Sequence, residues 1–228
     1  GDGADELFGG YGRYGLPIGP NPAHSHPESA LRDYFNKALP VFGIDLVDGL
    51  FDGVADISGE LLNQFRGVFI HTERAALHFW RMLDFCSYLP GAVLAKVDRM
   101  SMRHGLEVRT PFLEPQVMAM AEKMPQAYLE QGEERKIILK QILSQYLPRD
   151  ITSLPKRGFG MPQSVFMNNA QMIHQMLNEA IESLRETRLF SENAGLLQSI
   201  GQAAPNNINS AWAIIVLGQW VRSFPKKL

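Results

Sequence analysis

A chain of 228 residues with 45% hydrophobic content can bury a sizeable core, as one domain or one domain with an appendage. Its formal charge of -2, with Lys and Arg spread along the sequence, leaves no basic surplus to neutralise phosphates, which argues against nucleic-acid binding. The longest apolar run, Ala211 to Leu217, is far too short to span a bilayer, and the lone Cys86 can form no internal disulfide; a cytoplasmic protein is the expectation.

The first residues, Gly1 to Tyr11, crowd Asp2, Asp5 and Glu6 among Gly1, Gly3, Gly9 and Gly10. Carboxylates this close repel one another unless something positive lies between them, and a divalent cation carrying phosphate is the usual answer. A plain surface turn is the structural alternative. Residues 17–27 read as a Pro-rich connector, and Ser25 with Glu28 as a capping box. The helix that follows aligns Leu31, Tyr34, Phe35, Ala38 and Leu39 on one face and ends at Pro40. Residues 43–60, rich in Gly and Asp, are expected to be mostly loop with short turns of helix. From Thr72 to Leu89 the pattern is helical again, and Leu89-Pro90-Gly91 should close it. Further helices are expected at 92–104, 115–124, 134–147, 163–187 and 206–223. Period-2 alternation is scarce, so the prediction is a mainly helical chain with few strands.

Two later stretches carry charge in a chemically suggestive way. Lys96, Asp98, Arg99, Glu107 and Arg109 stand among otherwise apolar residues between Leu94 and Leu113. Buried charges persist only when paired or bound to ligand, so Asp98 or Glu107 pairing with Arg99 or Arg109 is the structural reading, and a functional Glu107 the alternative. In Pro155-Lys156-Arg157-Gly158-Phe159-Gly160-Met161-Pro162 the glycines allow a tight reversal, and Pro155 keeps Lys156 off a helix. A flexible ammonium there suits negative charge building on phosphate oxygens. Weaker features are His24 and His26, a metal pair without a third ligand, and Cys86, which reads as a small core residue. Trp212 and Trp220 share a helical face explained by core packing, and Met100, Met102, Met118, Met120 and Met124 read as core filler.

In this order the motifs resemble the asparagine synthetase family. Gly1–Tyr11 is similar to its G-x-G-x-D-E-x-F-G-G-Y loop, residues 94–113 to its V-K-V-D-R signature running on to E-x-R-x-P-F-L, and 155–162 to its K-x-G-F-x-x-P loop. Departures are Asp2, where Glu is more usual, and Glu114, where Asp is more usual. No S-G-G-x-D-S phosphate loop occurs, so the resemblance implies the carboxy-terminal part of a larger enzyme, inactive alone. The implied fold is the helical portion of an α/β synthetase domain of the adenine-nucleotide-hydrolase (PP-loop) type. It divides into a signature loop and helix start (1–16), a variable connector with helices (17–71) and a helical bundle (72–228).

The implied activity is ATP-dependent amide formation. A carboxylate, aspartate in the first instance, is adenylated and then attacked by ammonia from glutamine, with ATP and Mg2+ as cofactors. By matching position, Asp5 is implied as a metal ligand, and Lys156 with Glu107 as catalytic groups. Asp2, Gly1, Gly3 and Arg99 are implied as substrate-binding. Implied partners are an upstream glutaminase and phosphate-loop segment; apolar surface left where the missing parallel sheet would dock leads to the further expectation of a homodimer or of poor solubility. A non-catalytic helical module of the same fold, or a relative acting on another carboxylate, stays open as the alternative.

Overall fold

The computed structural model describes residues 1–15, 27–37, 41–50, 56, 59–60, 63–65, 76–152, 154, 168–187, 195 and 208–223. They form two compact units, one from Gly1–Ala30 with Phe65–Lys156 and one from Leu31–Gln64 with Arg157–Leu228. Helices dominate both, as expected, and the described strands form one short antiparallel hairpin.

The first unit is organised on the helix Ala76–Cys86, which buries Phe79, Trp80 and Leu83 completely or nearly so. The expected stop at Leu89-Pro90-Gly91 does not occur. A π-helical turn, Leu89–Leu94, carries the chain straight into the helix Ala95–Met102. Pro90 lies in the first turn, where its missing N–H is no loss, and the looser winding is closed by Ala95 N–H to the Pro90 carbonyl. Ala95–Met102 buries none of its residues. The expectation of buried charge fails here: Lys96, Asp98, Arg99, Glu107 and Arg109 are all exposed. The helix leans chiefly on the turn before it, so both its charges and Met100 and Met102 face outward.

The helix Pro115–Lys123 forms as predicted. The 134–147 helix is shorter than predicted, running only from Ile137 to Leu143. The strands Glu130–Gln131 and Glu134–Arg135 pair across a turn in which Gly132 has φ 59°, and Lys136 follows with φ 54°. Two left-handed residues in that span prevent any continuous right-handed helix before Ile137. The core of this unit gathers Leu7, Phe8, Ala121 and Leu129, with Met118 and Met124 packed against it. Met120, on the opposite face of its helix, is exposed, so Met100, Met102 and Met120 are not core filler. Cys86, at the end of its helix, is exposed rather than core.

The Pro27–Lys37 helix, which belongs to the second unit from Leu31 on, buries Leu31 and Tyr34, as its periodicity implied. Ile44–Leu50 is a seven-residue helix, longer than the short helical turns expected within 43–60, its first turn closed by Leu46 and Val47 N–H to the Gly43 carbonyl and anchored by buried Ile44. The main packing joins Ala170–Arg185 to Ile208–Ser223, through Leu177, Ala180, Ile181 and Leu184 against Ala211, Ile214 and Ile215. Each fully buried Leu or Ile contributes about 1.5–3 kcal/mol. A Cβ on Gly218 would strike Ala180, so the helices approach as closely as small residues allow. That close seam puts Trp212 and Trp220 on the outer side, 42% and 50% exposed, contrary to the core role expected of them.

Candidate active site

The acidic segment folds as a five-residue helix, Ala4–Phe8, between left-handed Gly3 (φ 87°) and Gly9 (φ 70°). A helix this short has no stability of its own, and its neighbours hold it. Side chains at Gly1 and Gly3 would strike Phe112 and Leu113, the P-F-L end of the second signature, and Phe8 meets Phe112 edge-on with ring centroids 5.8 Å apart. The first two motifs therefore pack against each other; a side chain at Gly1 or Gly3 would make Phe112 or Leu113 shift, and Gly3 is held to glycine also by its positive φ.

The three carboxylates separate by burial. Glu6 is 2% exposed, whereas Asp2 and Asp5 are half-buried. The cation beside Asp5 is supplied by the chain: Lys136 Nζ lies 3.0 Å from Asp5 Oδ1, both side chains about a quarter exposed. The sequence motif led to a divalent cation here and gave no sign of the lysine. A Cβ at Gly10 would run into both partners, so this glycine leaves room for the pair. Glu6 accepts a hydrogen bond of 3.0 Å from the Tyr11 hydroxyl. Tyr11 stacks under the guanidinium of Arg13, 4.0 Å from its ring centroid, with Tyr88 at 4.9 Å.

The helix Ala76–Cys86 fixes this assembly from below. Arg81, buried, donates from Nε to the Glu6 carbonyl at 3.0 Å and from Nη2 to the Leu7 carbonyl. One turn on, Asp84 Oδ2 accepts from Arg13 Nε at 2.9 Å, Arg13 Nη2 at 2.6 Å and the Tyr14 hydroxyl at 2.6 Å. Sequence reading missed Arg81, Asp84, Arg13 and Lys136. A signal existed for two of them, because Arg81 and Asp84 interrupt an apolar helix, and buried charge needs a partner.

Burial pushes the Glu6 carboxyl above the ordinary carboxylate range, against the opposing hydrogen bonds of its own backbone and Tyr11. Between the unfolded value and this raised one, the folded chain holds more protons than the unfolded chain, so stability falls as pH rises through that window. Glu6→Gln keeps an acceptor for Tyr11 and removes the titration. The expected outcome is a variant at least as stable as wild type at neutral pH, without that slope, in urea unfolding from about pH 4 to about pH 8. An unchanged slope would mean that another group carries it.

Of the remaining predicted residues, Glu107 pairs with Arg109 at 2.5 Å on the surface, where 72% and 84% exposure makes the pair worth little. Arg99 is exposed on Ala95–Met102, and among the described residues no hydrogen bond or ion pair joins Arg99 or Glu107 to the acidic helix. Lys156, its loop, His24 and His26 lie outside the described residues. Among the described residues no group of three or more His, Cys, Asp or Glu could hold a metal ion. Mg2+ typically takes one or two protein carboxylates and leaves its other positions to water and phosphate. Asp5, partly exposed beside Lys136, would suit that mode rather than an all-protein cage. No helix among the described residues is long and apolar enough to cross a membrane.

Residues 1–222 match the family model of asparagine synthase. Proteins of Mycobacterium bovis and Mycobacterium tuberculosis, provisionally named glutamine-hydrolysing asparagine synthetases, are 31% identical over 71% of the chain and 29% of their own length. Glutamine-hydrolysing asparagine synthetase 1 of Bacillus subtilis is 23% identical over 96% of the chain and 39% of its own length. The chain thus spans well under half of these relatives. No solved structure matches it significantly.

Proposed function

The chain belongs to the asparagine synthase family, and from that premise we propose that it forms part of an ATP-dependent carbon–nitrogen ligase. The enzyme would adenylate a carboxylate, aspartate in the first instance, and give it ammonia released from glutamine. The observation that supports this reading is the sorting of the acidic motif: Glu6 is buried and hydrogen-bonded, while Asp2 and Asp5 stay partly exposed, Asp5 beside the ammonium of Lys136.

In this proposal Asp5 would leave Lys136 to hold Mg2+, which would supply positive charge to the ATP phosphates. Asp2 accepts the α-ammonium of the acceptor amino acid, and the Gly1 and Gly3 backbone lets that substrate approach closely. Arg99 would lie toward the substrate carboxylate. Lys156 would meet the charge that grows on the α-phosphate as pyrophosphate departs. Glu107 would accept a proton from the incoming amine, a role that requires it to leave Arg109. The upstream glutaminase and phosphate-loop segment, and a homodimeric state, are carried as part of the same proposal. A soluble cytoplasmic enzyme would suit these substrates.

The test is ATP–pyrophosphate exchange by the full-length protein, with aspartate and a panel of other carboxylates. Exchange that depends on one acid establishes adenylation and names the acceptor. Exchange with none of them overturns the ligase reading.

A further inference from the structure

Arg81 is the best placed of the groups that the proposed reaction does not use. It is 6% exposed, and both of its recorded hydrogen bonds run to main-chain carbonyls, those of Glu6 and Leu7. Burial lowers its pKa, partly offset by Tyr14 and Glu130, yet a guanidinium stays charged across the physiological range. A buried cation is costly unless it meets negative charge. Here it meets the carbonyl end of a short helix, where unbonded oxygens and the negative end of the peptide dipoles coincide.

The result is a fully held backbone around one residue. The Asp5 carbonyl accepts from the N–H groups of Gly9 and Gly10, and the next two carbonyls accept from Arg81. From this we infer that Arg81 is a positioning residue: it fixes the helical turn that carries Asp5, and so sets where that carboxylate meets its ligand, without touching a ligand itself. The consequence for ligand binding rests on the ligase reading; the fixing of the turn does not.

A cavity of about 310 Å³ lined by Glu6, Leu7, Arg81, Met82, Phe85 and Met118, among others, adjoins the guanidinium. It offers a route for chemical rescue. In the full-length protein, Arg81→Ala should speed amide hydrogen exchange in residues 4–10 about tenfold or more, while Ile208–Ser223 keeps its protection. Added guanidinium ion at low concentration should restore that protection, and Mg·ATP affinity in calorimetry should fall and recover with it.

Arg81→Lys, which keeps charge but loses the fork, serves if the alanine variant does not fold; it should show the same local loss without guanidinium rescue. Unchanged exchange in 4–10, or equal acceleration in every helix, overturns the inference. If the wild-type protein binds no Mg·ATP, the ligase reading fails, and the exchange data alone decide on Arg81.

Discussion

Asp84→Ala is expected to destabilise the protein by about 3–5 kcal/mol, as breaking one side of a buried ion pair does. Asp84 is fully buried, and a single oxygen accepts from Arg13 twice and from Tyr14 once. Removing it strands the guanidinium beside Tyr11 and Tyr88 and leaves the buried Tyr14 hydroxyl without that acceptor. Arg13 is 16% exposed and can recover some hydration, which puts the expectation toward the lower end. At roughly 2–4 °C per kcal/mol for a chain of this size, the melting midpoint should drop by roughly 6–12 °C. Tyr14→Phe, which removes only one hydrogen bond, should lose about 1 kcal/mol. Chemical denaturation of the three proteins checks this, and a loss below about 1 kcal/mol for Asp84→Ala would mean the cluster relaxes around the gap.

The second large effect rests on the proposed function and is catalytic. Lys156→Ala in the full-length enzyme is expected to lower ATP–pyrophosphate exchange by about 10²–10³-fold, the usual loss when one preorganised donor to developing charge is removed. The loss should fall mainly on kcat, because the charge grows between ground state and transition state and binding of ATP uses other groups. Arg in its place keeps the charge but presents a planar fork instead of a compact ammonium, so only partial recovery is expected. Asp5→Asn offers a contrast, with exchange lost through a raised Mg2+ requirement. A Lys156→Ala enzyme within about tenfold of wild type would remove this lysine from the reaction.

Local chemistry was readable in the residues, and long-range choices were not. The glycines around Asp2, Asp5 and Glu6 announced a tight, acid-bearing turn, and the period of Leu31 and Tyr34 identified a buried face correctly. Spacing placed Trp212 and Trp220 on one face but could not say which face of that helix is buried. Ala180 and Gly218 decide it, by letting two helices approach on the other side. The hairpin at 130–135 is too short for alternation to register, so its second strand, Glu134–Arg135, read as the start of a helix. Asp5 had no visible partner because Lys136 comes from a distant part of the chain and turns inward only through a backbone conformation that its residue type does not suggest.

That conformation sets backbone strain against an ion pair at a single position. In the left-handed region a lysine costs about 1 kcal/mol or more that glycine does not. A partly exposed ion pair such as Lys136 with Asp5, each side chain about a quarter exposed, returns about 1 kcal/mol or less. Selection of variants for heat resistance alone would therefore drift toward glycine at 136 and discard the ammonium beside the acidic turn. A lysine retained at 136 in such a selection would show that its pairing with Asp5 outweighs the backbone strain.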